Sequence, residues 1–315
     1  MRHMLMAGPF PWEAIGVCPG DWRDCEVHES LGEADALRRL RAGAYDVIVT
    51  SPVTPASRDL AMVAEARECQ PGIRTIVIAP ELTPGDIITA LRSEVFSCFA
   101  MPVSADELRD AIAQALDAEG WKNGIEVISA LPTWIALRVA CRRVTADRLT
   151  RFIVELAAGL PDLDRNDLAT AFREMLLNAM EHGAGFDAQK VIEVAAIRTE
   201  RTIVYYFKDP GPGFNPKAPG LVATDDNPMS HLAYREAEGK RPGGFGMLLT
   251  AKLVDEVQYS ERGNEVFLVK HLDKLRGRAK APARVTAKRR VLPFGQAPEG
   301  TARHRNEVVE IDQES

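Results

Sequence analysis

Two hydrophobic rhythms alternate along the first third of the chain. Short apolar runs at 45–50 (YDVIVT), 73–79 (IRTIVIA) and 95–100 (VFSCFA) read as buried strands. Between and after them, at 34–41, 58–69, 84–91 and 105–116, apolar residues return every three or four positions, as on one face of a helix. Strand–helix alternation at this spacing predicts βαβ units and a parallel, doubly wound sheet over residues 1–118. Ser104 stands where an N-cap belongs, ahead of Asp106 and Glu107.

The pattern changes after a polar stretch at 119–127, which reads as a linker. A segment at 134–144 alternates Ile135, Leu137, Val139 and Cys141 on one face. Helical patterns follow at 145–160 and 166–183, then two strands at 191–198 and 202–208 joined by Thr199-Glu200-Arg201. Residues 210–243 are polar and rich in Gly and Pro. A connection of that length in a compact unit predicts a lid. A helix at 246–254 and a hairpin of 256–259 with 265–272 close a second unit spanning 128–272. Residues 273–315 have no periodicity and carry Pro282, Pro293 and Pro298, which predicts a disordered, partly basic tail. The fold class is therefore α/β, a doubly wound unit followed by a second α/β unit.

Composition narrows the function. The 315 residues suit two domains, and 46% hydrophobic with 27% charged residues is ordinary globular usage. No apolar run nears the ~20 residues that span a bilayer, and the start lacks the apolar core of a signal peptide, so a cytoplasmic protein is expected. Five scattered cysteines (18, 25, 69, 98, 141) without a C-x-x-C pair suggest reduced thiols. Residues 1–119 hold 19 acids against 10 arginines and no lysine, whereas residues 272–315 carry a net charge of +4. An acidic body makes nucleic acid a poor partner, and the run from Lys270 to Arg290 reads as a solvated tail.

Three short motifs carry the candidate chemistry. Glu174 and Asn178 lie four apart on one helix, and the 3.6-residue turn would bring Glu181 and His182 onto the same face. A carboxylate there can serve as a general base, and an amide oxygen suits Mg²⁺. Asp209-Pro210-Gly211-Pro212-Gly213 follows a strand. Its glycines permit a sharp turn and a close approach to a ligand, and its Asp can accept from an exocyclic amine. Arg241-Pro242-Gly243-Gly244-Phe245-Gly246 opens a helix with backbone amides suited to an anion. Each motif alone reads first as a solvated polar face or an ordinary turn. No Walker A loop occurs.

In combination and in this order, the motifs resemble the Bergerat-type ATP fold of the GHKL superfamily (gyrase, histidine kinases, mismatch-repair ATPases). Residues 174–183 (EMLLNAMEHG) resemble its N box, 209–213 its G1 box and 243–246 its G2 box. Asn264, in Gly263-Asn264-Glu265-Val266, stands where Thr is usual. The resemblance is nearest to anti-sigma-factor serine/threonine kinases, through Asn178-Ala179-Met180-Glu181-His182-Gly183, a single strand and helix ahead of the N box, and a compact close. It implies ATP and Mg²⁺ as cofactors. Glu174 would activate the acceptor hydroxyl, Asn178 would hold Mg²⁺ and Asp209 would bind the adenine amine. Gly211 and Gly213 would shape the base pocket, and Gly243, Gly244, Phe245 and Gly246 would meet the phosphates. Arg241, with Lys240, is assigned here to the β/γ-phosphate charge. The implied partners are a small STAS-like anti-anti-sigma protein as substrate, a sigma factor, and a second copy through the ATPase domain.

The first unit resembles a response-regulator receiver in layout. The phosphoacceptor position falls on Ser51, the acidic pair on Ala7-Gly8, the switch position on Ala79 and the Lys-Pro pair on Met101-Pro102. Without carboxylates or a lysine there, the expectation is a pseudoreceiver that does not take phosphate. No histidine lies between 119 and 173, which argues against autophosphorylation on a preceding helix pair. The resulting expectation is a partner-switching protein kinase. The alternatives are an ATP-gated binding module without phosphotransfer, or a two-component relay controlled by the receiver-like unit.

Overall fold

The computed structural model describes residues 1–118, 123–157, 159–215 and 245–273. The first unit is a five-stranded sheet of β1 (Arg2–Ala7), β2 (Cys25–Glu29), β3 (Val47–Thr50), β4 (Arg74–Ala79) and β5 (Ser97–Ala100). The strands are all parallel, in the order β2-β1-β3-β4-β5. That is the flavodoxin-like doubly wound order. Its helices are α1 (Trp12–Ile15), α2 (Glu33–Ala42), α3 (Ala56–Cys69), α4 (Pro84–Arg92) and α5 (Ala105–Asp117).

Alternation along the strands divides the core. Leu5, Ile48 and Val77 pack with α2, α3 and α4 on one face, while Met4, Val49 and Ile78 pack with α1 and α5 on the other. α4 starts with a capping box. Thr83 Oγ1 accepts from Asp86 N (3.2 Å) while Asp86 Oδ2 accepts from Thr83 N (2.9 Å). Ser104 holds the N-cap position of α5 as expected, but its hydroxyl makes no capping bond.

The second unit is a six-stranded antiparallel sheet in the order β10-β11-β9-β8-β7-β6. Its strands are β6 (Ile125–Leu131), β7 (Trp134–Ala140), β8 (Val191–Arg198), β9 (Thr202–Lys208), β10 (Glu256–Tyr259) and β11 (Glu265–His271). Helices α6 (Arg143–Leu156), α7 (Asp162–Asn178) and α8 (Phe245–Leu253) share its core, where the Phe172 ring meets Tyr205 (5.1 Å) and Phe207 (5.0 Å).

Two sequence expectations are corrected here. Residues 125–127, read as linker, begin β6, so two strands rather than one precede the helices. β6 escapes periodicity because a bulge between Val127 and Ser129 breaks its alternation. Lys270, read as the first residue of a basic tail, is buried in β11. Its ammonium donates to the Leu253 carbonyl (2.9 Å) and lies 3.9 Å from Asp164. The expected tail falls outside the described residues from 274 on.

The two units share one apolar core, with α4 and β5 packed against α6 and β6. At that seam Arg148 of α6 is 1% exposed. Its guanidinium donates to the carbonyls of Phe96 (2.7 Å), Val95 (3.1 Å) and Asn123 (2.6 Å) and to Asn123 Oδ1 (3.0 Å). It also lies over the Phe96 ring at 4.7 Å. Burial pushes its pKa down to about 9, still cationic at neutral pH. Arg148→Met preserves bulk but strands three carbonyl groups. We expect a loss of about 2–4 kcal/mol in unfolding free energy, read from urea melts of the full chain. An unchanged midpoint would contradict it.

Candidate functional site

Helix α7 brings Glu174 and Asn178 to its last turns. Beyond Asn178 the chain widens into a π-helical turn, Ala179–Gly183, closed by Phe186 N donating to the Met180 carbonyl (2.8 Å). The 3.6-residue spacing therefore ends at Asn178. Glu181 and His182 do not continue the Glu174 stripe as expected, and both are exposed. The π turn delivers Gly183 against the end of β9.

At that contact a Cβ on Gly183 would fall 2.2 Å from Asp209 Cγ and Oδ1, and one on Gly211 would fall 2.7 Å from the Gly183 carbonyl oxygen. Gly211 N donates to Asp209 Oδ1 at 2.8 Å. That bond fixes the carboxylate against the backbone of its own loop. Burial raises the Asp209 pKa, while the Gly211 N–H and the Arg262 charge pull it back.

The turn between β10 and β11 supports this loop from the far side. Asp209 N donates to the Asn264 carbonyl (3.0 Å), and Asn264 Nδ2 donates to the Asp209 carbonyl (3.2 Å). Arg262 Nε donates to the Pro212 carbonyl (3.2 Å). Gly213 and Gly263 both have φ near +78°, at +79° and +76°. A Cβ on either would strike opposing backbone at 2.0 Å. Asn264 is thus 93% buried in a backbone-bracing role, one that motif reading alone does not give it.

The third motif closes on the first. A Cβ on Gly246, in the first turn of α8, would lie 2.8 Å from Glu174 Oε2 and 3.5 Å from Asn178 Nδ2. Gly246 thus meets Glu174 and Asn178, and five residues beyond Asn178 the chain meets Asp209 and Gly211 at Gly183. Lys240, Arg241, Gly243, Gly244, the Phe245 side chain and nearly all of the expected lid lie outside the described residues.

The first unit presents a second candidate position. A doubly wound sheet binds ligands outside the carboxyl ends of its strands, where the strand order reverses. Here small residues fill that crevice, between β1 and β3, at the positions where a receiver carries its acidic pair and phosphoacceptor. Ser51 is 1% exposed, and its Oγ donates to the Pro9 carbonyl (2.6 Å). Gly8 N donates to Ser30 Oγ (3.0 Å). Ala7 and Ala79 are buried.

Asp59, beneath this edge, is a titratable residue that motif reading passed over. Thr54 Oγ1 lies 2.7 and 2.8 Å from its two oxygens, and burial pushes its pKa up to about 6. An unfolded chain releases that proton near pH 4, so it binds fewer protons than the native one between those values. Stability from this group is therefore full below pH 4 and lost as pH rises through 6. Relative to wild type, Asp59→Asn gains on the order of 2 kcal/mol between pH 4 and 7.5, measured by urea titration at each pH. A constant difference would exclude the shift.

Residues 139–270 match the family model of the histidine kinase-like ATPase domain. No curated protein matches the chain. Among solved structures, residues of the first unit align with a CheY-like response regulator receiver domain protein from Methanospirillum hungatei JF-1. The identity is 13%, covering 37% of this chain and 94% of that one, with a TM-score of 0.32. A receiver domain protein from Clostridium thermocellum gives 20% identity, 37% and 95% coverage, and a TM-score of 0.32. A two-component response regulator from Clostridium difficile gives 11%, 38% and 100%, and 0.33. The first unit's receiver-like fold rests on its strand order.

For the site, Gly183→Ala displaces Asp209 without touching the core. We expect affinity for a fluorescent ATP analogue to fall at least about tenfold, equivalent to about 1.4 kcal/mol, with an unchanged far-UV spectrum. Undiminished affinity would separate Asp209 from the nucleotide.

Proposed function

We propose, from a chain that joins a histidine kinase-like ATPase domain to a receiver-like unit, that it is a protein serine/threonine kinase. It uses ATP to phosphorylate a small STAS-like antagonist in a partner-switching pathway, with a sigma factor as a further partner and a second copy of the chain as a dimer mate. The observation that carries the reading is the approach of Gly246 to both Glu174 and Asn178. It sets a carboxylate and an amide beside the first described turn of a helix, and helix N-termini favour phosphate.

The residues divide the work as follows. Asp209 Oδ2 accepts from the adenine amine while Gly211 holds Oδ1. Glu174 accepts the proton of the acceptor hydroxyl as the γ-phosphoryl group transfers. Asn178 would hold Mg²⁺, which when bound neutralises phosphate charge. Gly243, Gly244 and Gly246 line the phosphates, with Lys240 and Arg241 supplying further positive charge. Ser51 at the acceptor position, with Ala7, Gly8 and Ala79 at the other receiver positions, supports a first unit that docks or senses and does not itself accept phosphate.

The test is γ-labelled ATP with Mg²⁺, added to the purified full chain and a soluble extract of its source cells. We expect an acid-stable label on a small protein, absent with Asn178→Ala. Glu174→Ala lowers transfer by about 10²–10⁴-fold while ATP affinity holds. An acid-labile label would instead support a two-component relay. Bound ATP without any label would leave an ATP-gated binding module.

A further inference from the structure

On the far edge of the first sheet, β1 and β2 set three ligating side chains on one face. Their parallel register pairs His3 with Glu26 and Leu5 with His28, so alternation places His3, Glu26 and His28 on the same side. His3 Nδ1 lies 3.6 Å from Glu26 Oε2, and His28 Nε2 lies 3.3 Å from Glu26 Oε1. One ligand atom from each residue falls within 4.8 Å of the other two. In tetrahedral coordination with bonds of 2.0–2.1 Å, neighbouring ligand atoms stand about 3.3–3.4 Å apart. His3 and His28 thus approach the two oxygens of the one carboxylate, at 3.6 and 3.3 Å, and the set needs to contract by no more than about 1.5 Å to reach that spacing.

A second observation points to a cation. His28 Nε2 is shut off from solvent and makes no hydrogen bond, although a carboxylate oxygen lies 3.3 Å away. The contact is not aligned as a hydrogen bond, so the nitrogen lone pair and the carboxylate oxygen face each other as two donors to one cation would. The frame around it is fixed. The His28 ring stands edge-on to Tyr45 at 5.5 Å, and His3 N donates to Asp46 Oδ2 at 2.8 Å. Asp46 is itself paired with Arg2 and Arg74, each at 3.4 Å.

We propose that His3, Glu26 and His28 form a divalent transition-metal site of the Zn²⁺ class, with water in the remaining position. Imidazole and carboxylate suit that class, and three ligands on two adjacent strands supply the set. The metal clasps the edge strand β2, whose strand partner is β1, to the body of the sheet.

The test uses untagged full-length protein and Zn²⁺ in competition with a chromophoric chelator. One Zn²⁺ per chain is expected. His28→Ala and Glu26→Gln each weaken it by more than about tenfold, since even outer-shell losses cost 10–100-fold. His182→Ala leaves it unchanged. Co²⁺ in the same site gives visible bands without thiolate charge transfer. Zn²⁺ raises the melting temperature of the wild type but not of His28→Ala, whose own melt without metal remains cooperative. No Zn²⁺ binding, equal binding in the variants, or a thiolate band implicating Cys18, Cys25 or Cys69 would each overturn the proposal.

Discussion

The guanidinium of Arg148 is held between two polypeptide segments that are far apart in sequence, the entry to β5 and the residues just ahead of β6. A charge removed from water needs a full set of acceptors, and four oxygens with one aromatic face supply it here. Those acceptors are mostly main-chain carbonyls, so the arrangement fixes backbone rather than side chains. It sets the position of α6, and Arg173 of α7 in turn clasps Asp147 of α6 with two bonds, at 3.0 and 2.8 Å. The helix that carries Glu174 and Asn178 is thereby referenced to the first unit.

Within the second unit the site depends on the absence of side chains. Gly183, Gly211, Gly213, Gly246 and Gly263 let three loops and a helix end approach until backbone meets backbone or carboxylate. Such contacts leave no slack for a methyl group. They also orient Asp209 through main-chain donors, which cannot swing away as a side chain can. The π turn is part of the same construction, since it lets the chain leave α7 at the angle that meets β9.

Much of this was legible in the sequence. The doubly wound pattern and the two helices bearing motifs could be read from spacing, while the carboxylate, amide and glycine positions were picked out by the resemblance of their order to a known ATP fold. What could not be read depends on tertiary partners. Arg148 and Lys270 look like surface cations in sequence, and only the packing of distant elements buries them. β2 is half polar because it is an edge strand, and β6 is interrupted by a bulge, so neither announces itself by alternation. The departure from helical spacing after Asn178 carries no composition signal, since Ala179-Met180 would suit an α-helix equally well. Asp59 was unremarked because a lone acid on a helix acquires meaning only from the hydroxyl beside it.

The shared core has a consequence for modularity. Signalling chains are often built from input and output domains that evolution can exchange at a linker. Here the boundary runs through packed hydrocarbon, with Leu91 and Val95 of the first unit in one cluster with Ile125 and Leu149 of the second. The second unit grafted onto another first domain would arrive with that apolar seam bare and Arg148 without its carbonyls. The two halves therefore pack as a matched pair, and a substitution in α4 or at the start of β5 is felt by a helix that lies some fifty residues away.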